Sequence, residues 1–190
     1  MPMQLDTSKI CFITNVSQEK QYENCVSYIR RLTVPVGMTV EFRAIRDAKS
    51  MCEGYARAQS SSDAKYKIYL HQDVMITDEN FLYTLISTFQ SNASYGIAGL
   101  VGVYNLPQNA VWWTSFDSNK VGVTIDTVYP EGETPIDESF STQFLTHLPK
   151  SPHSTASFLP RSMICRGELT SSMAFIFMIL HNASNFVAEA

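Results

Sequence analysis

In this chain of 190 residues, the side chains best spaced for chemistry are His71, Gln72 and Asp73. They follow Ile68-Tyr69-Leu70, an apolar, β-branched and aromatic run that predicts a short buried strand. Val74 to Ile76 then resumes the apolar character. A carboxylate at a strand end, with an imidazole two residues earlier on the same side of an extended chain, is spaced to hold a divalent cation. Open α/β sheets bind ligands outside the carboxyl ends of their strands, where these residues would lie. The same residues also suit a plainer role, an Asp that ends a strand and turns the chain.

A second cluster, Arg46-Asp47-Ala48-Lys49, follows another predicted strand. Asp47 is suited to a base or ribose and Lys49 to a phosphate. Taken alone, the cluster reads more simply as a solvated loop with a local ion pair. Trp112 and Trp113 sit in Val111 to Thr114, where adjacent side chains on a strand point opposite ways. One indole could be a platform for a sugar or base, although core packing of both is the stronger reading of the pair by itself.

The elements that must position these residues can be read in order. Lys9 to Thr14 predicts a central strand, and Asn15 to Ser17 its carboxyl-end loop. Tyr22, Cys25, Val26, Ile29 and Leu32 recur at helical spacing from Glu19 to Leu32, and Thr33 to Gly37, with Pro35, ends that helix. Thr39 to Ile45 alternates as a second strand, giving a strand-helix-strand unit of parallel-sheet length. Ser50 is an N-cap with Glu53 three residues on, opening a helix through Met51, Tyr55 and Ala58 that dissolves at Ser60 to Asp63. After the His71 stretch come a helix from Glu79 to Gln90, capped by Thr77 or Asp78, and a strand from Ile97 to Tyr104 with Gly99 and Gly102.

Composition bounds the function. Hydrophobic residues make up 45% and charged residues 17%, as in a soluble globular protein of one domain. A net charge of -4 without a basic stripe argues against nucleic acid as a partner. Cys11, Cys25, Cys52 and Cys165 have neither metal-site spacing nor the density of a disulfide framework; Cys11 and Cys25 sit in apolar patterns and are expected to be buried free thiols, which implies a reducing, cytoplasmic location. The N-terminus lacks the regions of a signal peptide, and the most apolar run, Met173 to Leu180, falls far short of the roughly 20 residues of a transmembrane segment.

The order KICFITNV, AIRDAKSM-x-x-GY, DAKYKIYLHQDV, GLVG and the Trp pair resembles the bacterial glycosyltransferase-like family that contains the streptomycin biosynthesis protein StrF. That family is related to the inverting family 2 glycosyltransferases. The resemblance covers Lys9 to Trp113 and is most specific at YLHQDV. It implies a GT-A-like (Rossmann-like) α/β three-layer sandwich with a mainly parallel sheet. It also implies a nucleotide-sugar donor, UDP-sugar as first candidate, and a glycan or small-molecule acceptor. The implied donor site comprises Thr14, Asn15, Asp47, Lys49, His71, Gln72 and Asp73 with Trp112 and Trp113. Asp73 and His71 would hold Mg²⁺ or Mn²⁺ in place of the usual Asp-x-Asp. An inverting transferase also needs a carboxylate base in the second half of the domain.

That half is not legible. Residues 1–8 read as a flexible N-terminus and 9–126 as the nucleotide-sugar-binding domain, whereas 127–190 read as an irregular tail that leaves the domain incomplete. Back-translation with every codon started one nucleotide earlier suggests why. Met163-Ile164 and Met178-Ile179 then each force Asp, Met173-Ala174 forces Gly, and His181-Asn182 forces Gln or a stop. Around these fixed points the permitted letters include L-D-G, Q-Y-D-L-P-W, G-F-H-F-Y-D and S-Q-C, in that order. These strings resemble the DG, QYD-x-PW and G-(F/W)-HFYD elements of the same family's second half. The expectation is a change of reading frame between Asp126 and Lys150. Three functional readings stay open: a glycosyltransferase impaired in its acceptor half, a nucleotide-binding module without transfer, and a non-functional product. Sequencing the coding region in all three frames tests the frame change: the neighbouring frame should continue the family's second half, and a frame closed by stops or spelling something unrelated would refute it.

Overall fold

Ile10 to Thr14 is buried without interruption, so the strand that carries it must lie inside a sheet covered on both faces. A computed structural model of the chain describes residues 4–91, 95, 97–103, 105, 107–109, 114–116, 119–128, 136–141, 156–158, 165–168 and 178–180. In it, β1 (Asp6–Asn15) pairs in parallel with β2 (Thr39–Ile45) on one side and β3 (Ala64–His71) on the other. The predicted central strand is therefore the centre of the parallel part of the sheet.

Helix α1 (Glu19–Ile29) connects β1 to β2, and α2 (Met51–Ser60) connects β2 to β3. The chain crosses the sheet outward and then back, so right-handed connections put the two helices on opposite faces. Cys25 and Ile29 of α1 pack with Ile10, Phe12, Ile68 and Leu70. Ala58 and Tyr55 of α2 pack with Cys11, Ile13 and Tyr69 on the other face. After β4 (Val74–Ile76), α3 (Phe81–Ser91) joins the α1 layer through Phe81, Leu82, Leu85, Ile86 and Phe89, the face expected from their spacing.

Where boundaries differ from the sequence reading, a tertiary contact explains it. Helix α1 stops at Ile29 rather than Leu32, because the Thr33 N–H bonds the Glu79 carbonyl oxygen at 2.8 Å instead of continuing the helical ladder. At α2 the Glu53 N–H donates to Ser50 Oγ at 3.2 Å, but the Glu53 carboxylate reaches back to the Lys49 N–H at 2.6 Å, one residue beyond the usual box. The single strand expected over Ile97 to Tyr104 is two: β5 (Ile97–Gly99) and β6 (Val101–Val103) enter different sheets about the bend at Leu100.

Beyond Gly102 the described residues include β7 (Lys120–Val128), β8 (Ile136–Ser141), β9 (Ala156–Phe158), β10 (Cys165–Glu168) and β11 (Met178–Leu180). Strand β11 pairs antiparallel with β3, completing the order β2-β1-β3-β11-β5-β9. A second sheet runs β4-β10-β7-β6, with β8 on β7. No helix of the described residues is long and apolar enough to cross a membrane.

Cys11 and Cys25 are free and buried, as expected, and burial pushes both thiols up to about 12. Cys52 is free and exposed. Alkylation of the folded chain at about pH 8 should modify Cys52 and spare Cys11 and Cys25 until the protein unfolds. Peptide mass mapping reads the pattern, and early labelling of Cys11 or Cys25 would contradict this packing.

Candidate functional site

Parallel pairing in register brings the strand ends level: Asn15 lies opposite Ile45 on one side and His71 on the other. Beyond that line the sheet has its switch point, since the chain leaves β1 towards β2 and leaves β3 away from it. A cleft of about 670 Å³ opens there, formed by the loops after β1, β2 and β3. Asn15, Asp47, His71, Gln72 and Asp73 all line it, although they are scattered over nearly 60 positions of sequence. The other expected site residues do not share that lining. Thr14 is buried inside β1, one residue below the rim. Lys49 is exposed at the start of α2 and is not part of the cleft wall. Trp112 and Trp113 fall outside the described residues.

The His71–Asp73 turn is tied from several directions. Tyr55 Oη donates to the Leu70 carbonyl oxygen at 3.2 Å, and Cys25 Sγ to that of His71 at 3.9 Å. Gln72 turns its amide towards the start of α1. Burial lowers the His71 pKa, partly offset by the Asp73 carboxylate, which favours the neutral imidazole that can ligate a metal. Burial raises the Tyr55 phenol well above its usual range, with Asp73 adding to the effect, so it acts as a hydrogen-bond donor.

Asp47 has φ 61, a left-handed conformation rare for residues other than Gly and best tolerated by Asn and Asp. Backbone strain of this kind gathers at ligand sites. The neighbouring Arg46, which the sequence placed in the same cluster without a role of its own, is a wall residue. Its guanidinium grips Glu19, with Nε to Oε2 at 3.1 Å and Nη2 to Oε1 at 2.6 Å, and lies 5.9 Å from the Tyr22 ring centre. Glu19 is the first residue of α1, so this pair closes one side of the cleft. Its only sequence signal was a basic residue after a predicted strand; the acidic partner 27 positions earlier was invisible.

Three carboxylates (Glu19, Asp47 and Asp73) therefore line the cleft against one guanidinium, which Glu19 already engages. Among the described residues no group of three or more His, Cys, Asp or Glu side chains is arranged to hold a metal. Of the two cleft residues that could ligate a cation, Asp73 offers the hard oxygen that Mg²⁺ and Mn²⁺ take, whereas the His71 imidazole is a softer nitrogen donor that fits Mn²⁺ better than Mg²⁺; either ion completes its shell with water and phosphate oxygens.

A family model described as glycosyltransferase-like matches residues 11–143, more than half of the chain. The chain belongs to this glycosyltransferase-like family, and its α/β architecture, with a parallel three-strand core between helices, is of the GT-A-like, Rossmann type. No curated protein matches the sequence.

Close packing at the rim gives a test of this geometry. A Cβ on Gly54 would collide with Asn15 Oδ1, while Asn15 Nδ2 donates to the Met51 carbonyl oxygen at 3.0 Å. Gly54→Ala should therefore displace Asn15 and destabilise the protein by about 1–3 kcal/mol. In the Asn15→Ala background the same change should cost much less, a coupling that chemical denaturation of the four proteins measures. Additive losses would mean the two residues do not touch.

Proposed function

We propose that the cleft binds a nucleotide-diphospho-sugar together with Mg²⁺ or Mn²⁺, and that the ancestral reaction is inverting glycosyl transfer. The observation that carries this reading is the convergence of Asn15, Asp47, His71 and Asp73 at one switch-point cleft lined by three carboxylates. A diphosphate brought against that charge needs a cation between them. Asp73 and His71 would hold the cation, which when bound neutralises the diphosphate leaving group. Asp47 suits a base or ribose hydroxyl. Arg46 is better situated than Lys49 to meet a phosphate, because it lies on the cleft wall and Lys49 does not. UDP-sugar is the first donor to try.

In the transfer itself an acceptor hydroxyl attacks the anomeric carbon, the bond to the diphosphate breaks, and a carboxylate takes the hydroxyl proton. We assign no residue of this chain to that base. Its place in the domain is where the reading frame is inferred to change, in the window from Asp126 to Lys150, into which the family match over residues 11–143 extends. The YLHQDV pattern supports kinship with the group containing StrF. Loss of the acceptor half favours a chain that binds donor nucleotide with little or no transfer.

Titration calorimetry with UDP, with and without Mn²⁺, tests the site. Asp73→Ala should weaken Mn²⁺-dependent binding by about tenfold or more and leave the melting temperature nearly unchanged. Equal affinity in the parent and the variant, with and without metal, would sink the Asp73 assignment. Release of free sugar from UDP-sugars by the parent chain would show that catalytic function survives.

A further inference from the structure

Gln72 occupies an unusual position, between the two proposed metal ligands yet facing away from a ligand role. Its Oε1 accepts from the backbone N–H groups of Ser17, at 2.7 Å, and Gln18, at 2.9 Å. Its Nε2 donates to Ser17 Oγ at 3.0 Å and to Gln21 Oε1 at 3.1 Å. Backbone N–H groups can only donate, so the orientation of the amide is determined. Both lone pairs of the oxygen and both hydrogens of the nitrogen are engaged. Gln18, the N-cap residue of α1, makes no side-chain cap of its own.

We infer that Gln72 is a positioning residue, a tertiary cap that locks the Asn15–Gln18 rim to the His71–Asp73 turn, and not a contact to the donor. Three features support it. The residue needs an acceptor for two N–H groups and donors for two oxygens on one side chain, which a carboxamide supplies and an aliphatic side chain does not. It sits directly between His71 and Asp73, so fixing Gln72 restrains both. It also engages the two N–H groups just ahead of α1, a place where many nucleotide sites offer such groups to phosphate. With these donors engaged, anionic charge in the cleft falls to a cation and to Arg46.

The consequence for affinity rests on the nucleotide reading of the cleft, whereas the tie itself does not. Amide hydrogen exchange over residues 16–21 of the full chain reads the tie, and calorimetry with UDP and Mn²⁺ reads its effect. Gln72→Met should speed exchange in that segment about tenfold and weaken UDP–Mn²⁺ binding about tenfold, with the melting temperature little changed. Gln72→Glu keeps the acceptor for both N–H groups and should hold exchange within about threefold of the parent. Unchanged exchange in Gln72→Met overturns the tie, and lost affinity with unchanged exchange would make Gln72 a ligand contact instead. Faster exchange at parental affinity would remove its positioning role. If the parent binds no UDP, the nucleotide reading fails, and the exchange comparison still decides whether the cap exists.

Discussion

The structure depends on the register with which β1 pairs to both of its parallel neighbours. Phe12 stands opposite Phe42 and Ile68, and Asn15 opposite Ile45 and His71. A slip of one residue would reverse every side chain of the slipped strand. The penalty would fall on both faces at once, because Phe12 and Ile68 pack under α1 and α3 while Cys11, Ile13 and Tyr69 pack under α2. Register is thus set by burial on two sides, and the level strand ends that create the cleft follow from it. No residue of the cleft has to specify its own location.

Around that level line the molecule separates holding from charging. Neutral groups do the holding: the Tyr55 hydroxyl on the Leu70 carbonyl, the Cys25 thiol on that of His71, and the Gln72 amide on the start of α1. Neutral ties can restrain backbone at the site without adding charge to it. The carboxylates Asp47 and Asp73 are left to face the cleft, and Arg46 is held in place by Glu19. Exposed pairs of this kind add little to stability, so the Arg46–Glu19 contact matters more for where the guanidinium sits than for how firmly the fold holds.

Away from the site the sheet tolerates a different kind of charge. Lys67, opposite Cys11 in β3, is fully buried, and its Nζ donates to the Ala64 carbonyl oxygen at 2.5 Å. Burial lowers its pKa, partly offset by Cys11, Glu41 and Asp63. Burying a lysine is unfavourable unless it is hydrogen-bonded, and here a backbone oxygen three residues away on the same strand supplies the bond. The pairing of β11 with β3 passes this point, since Leu180 is opposite Lys67.

By itself the sequence determined the parallel α/β unit and its strand-end motifs. Apolar runs, helical spacing and the Ser50 cap are local signals, and each element's type follows from a few neighbouring residues. Asp47, His71 and Asp73 were legible for the same reason, since each follows directly on a recognisable strand. Only the tertiary structure decided how the strand ends come level, that Thr14 lies inside and Lys49 off the wall, and where α1 stops. It also decided the roles of Arg46 and Gln72, whose partners lie 27 and more than 50 residues away. Those contacts arise from the crossing of the sheet outward and back, which joins distant loops at one edge, and a pairing made that way leaves no trace in the spacing of either partner.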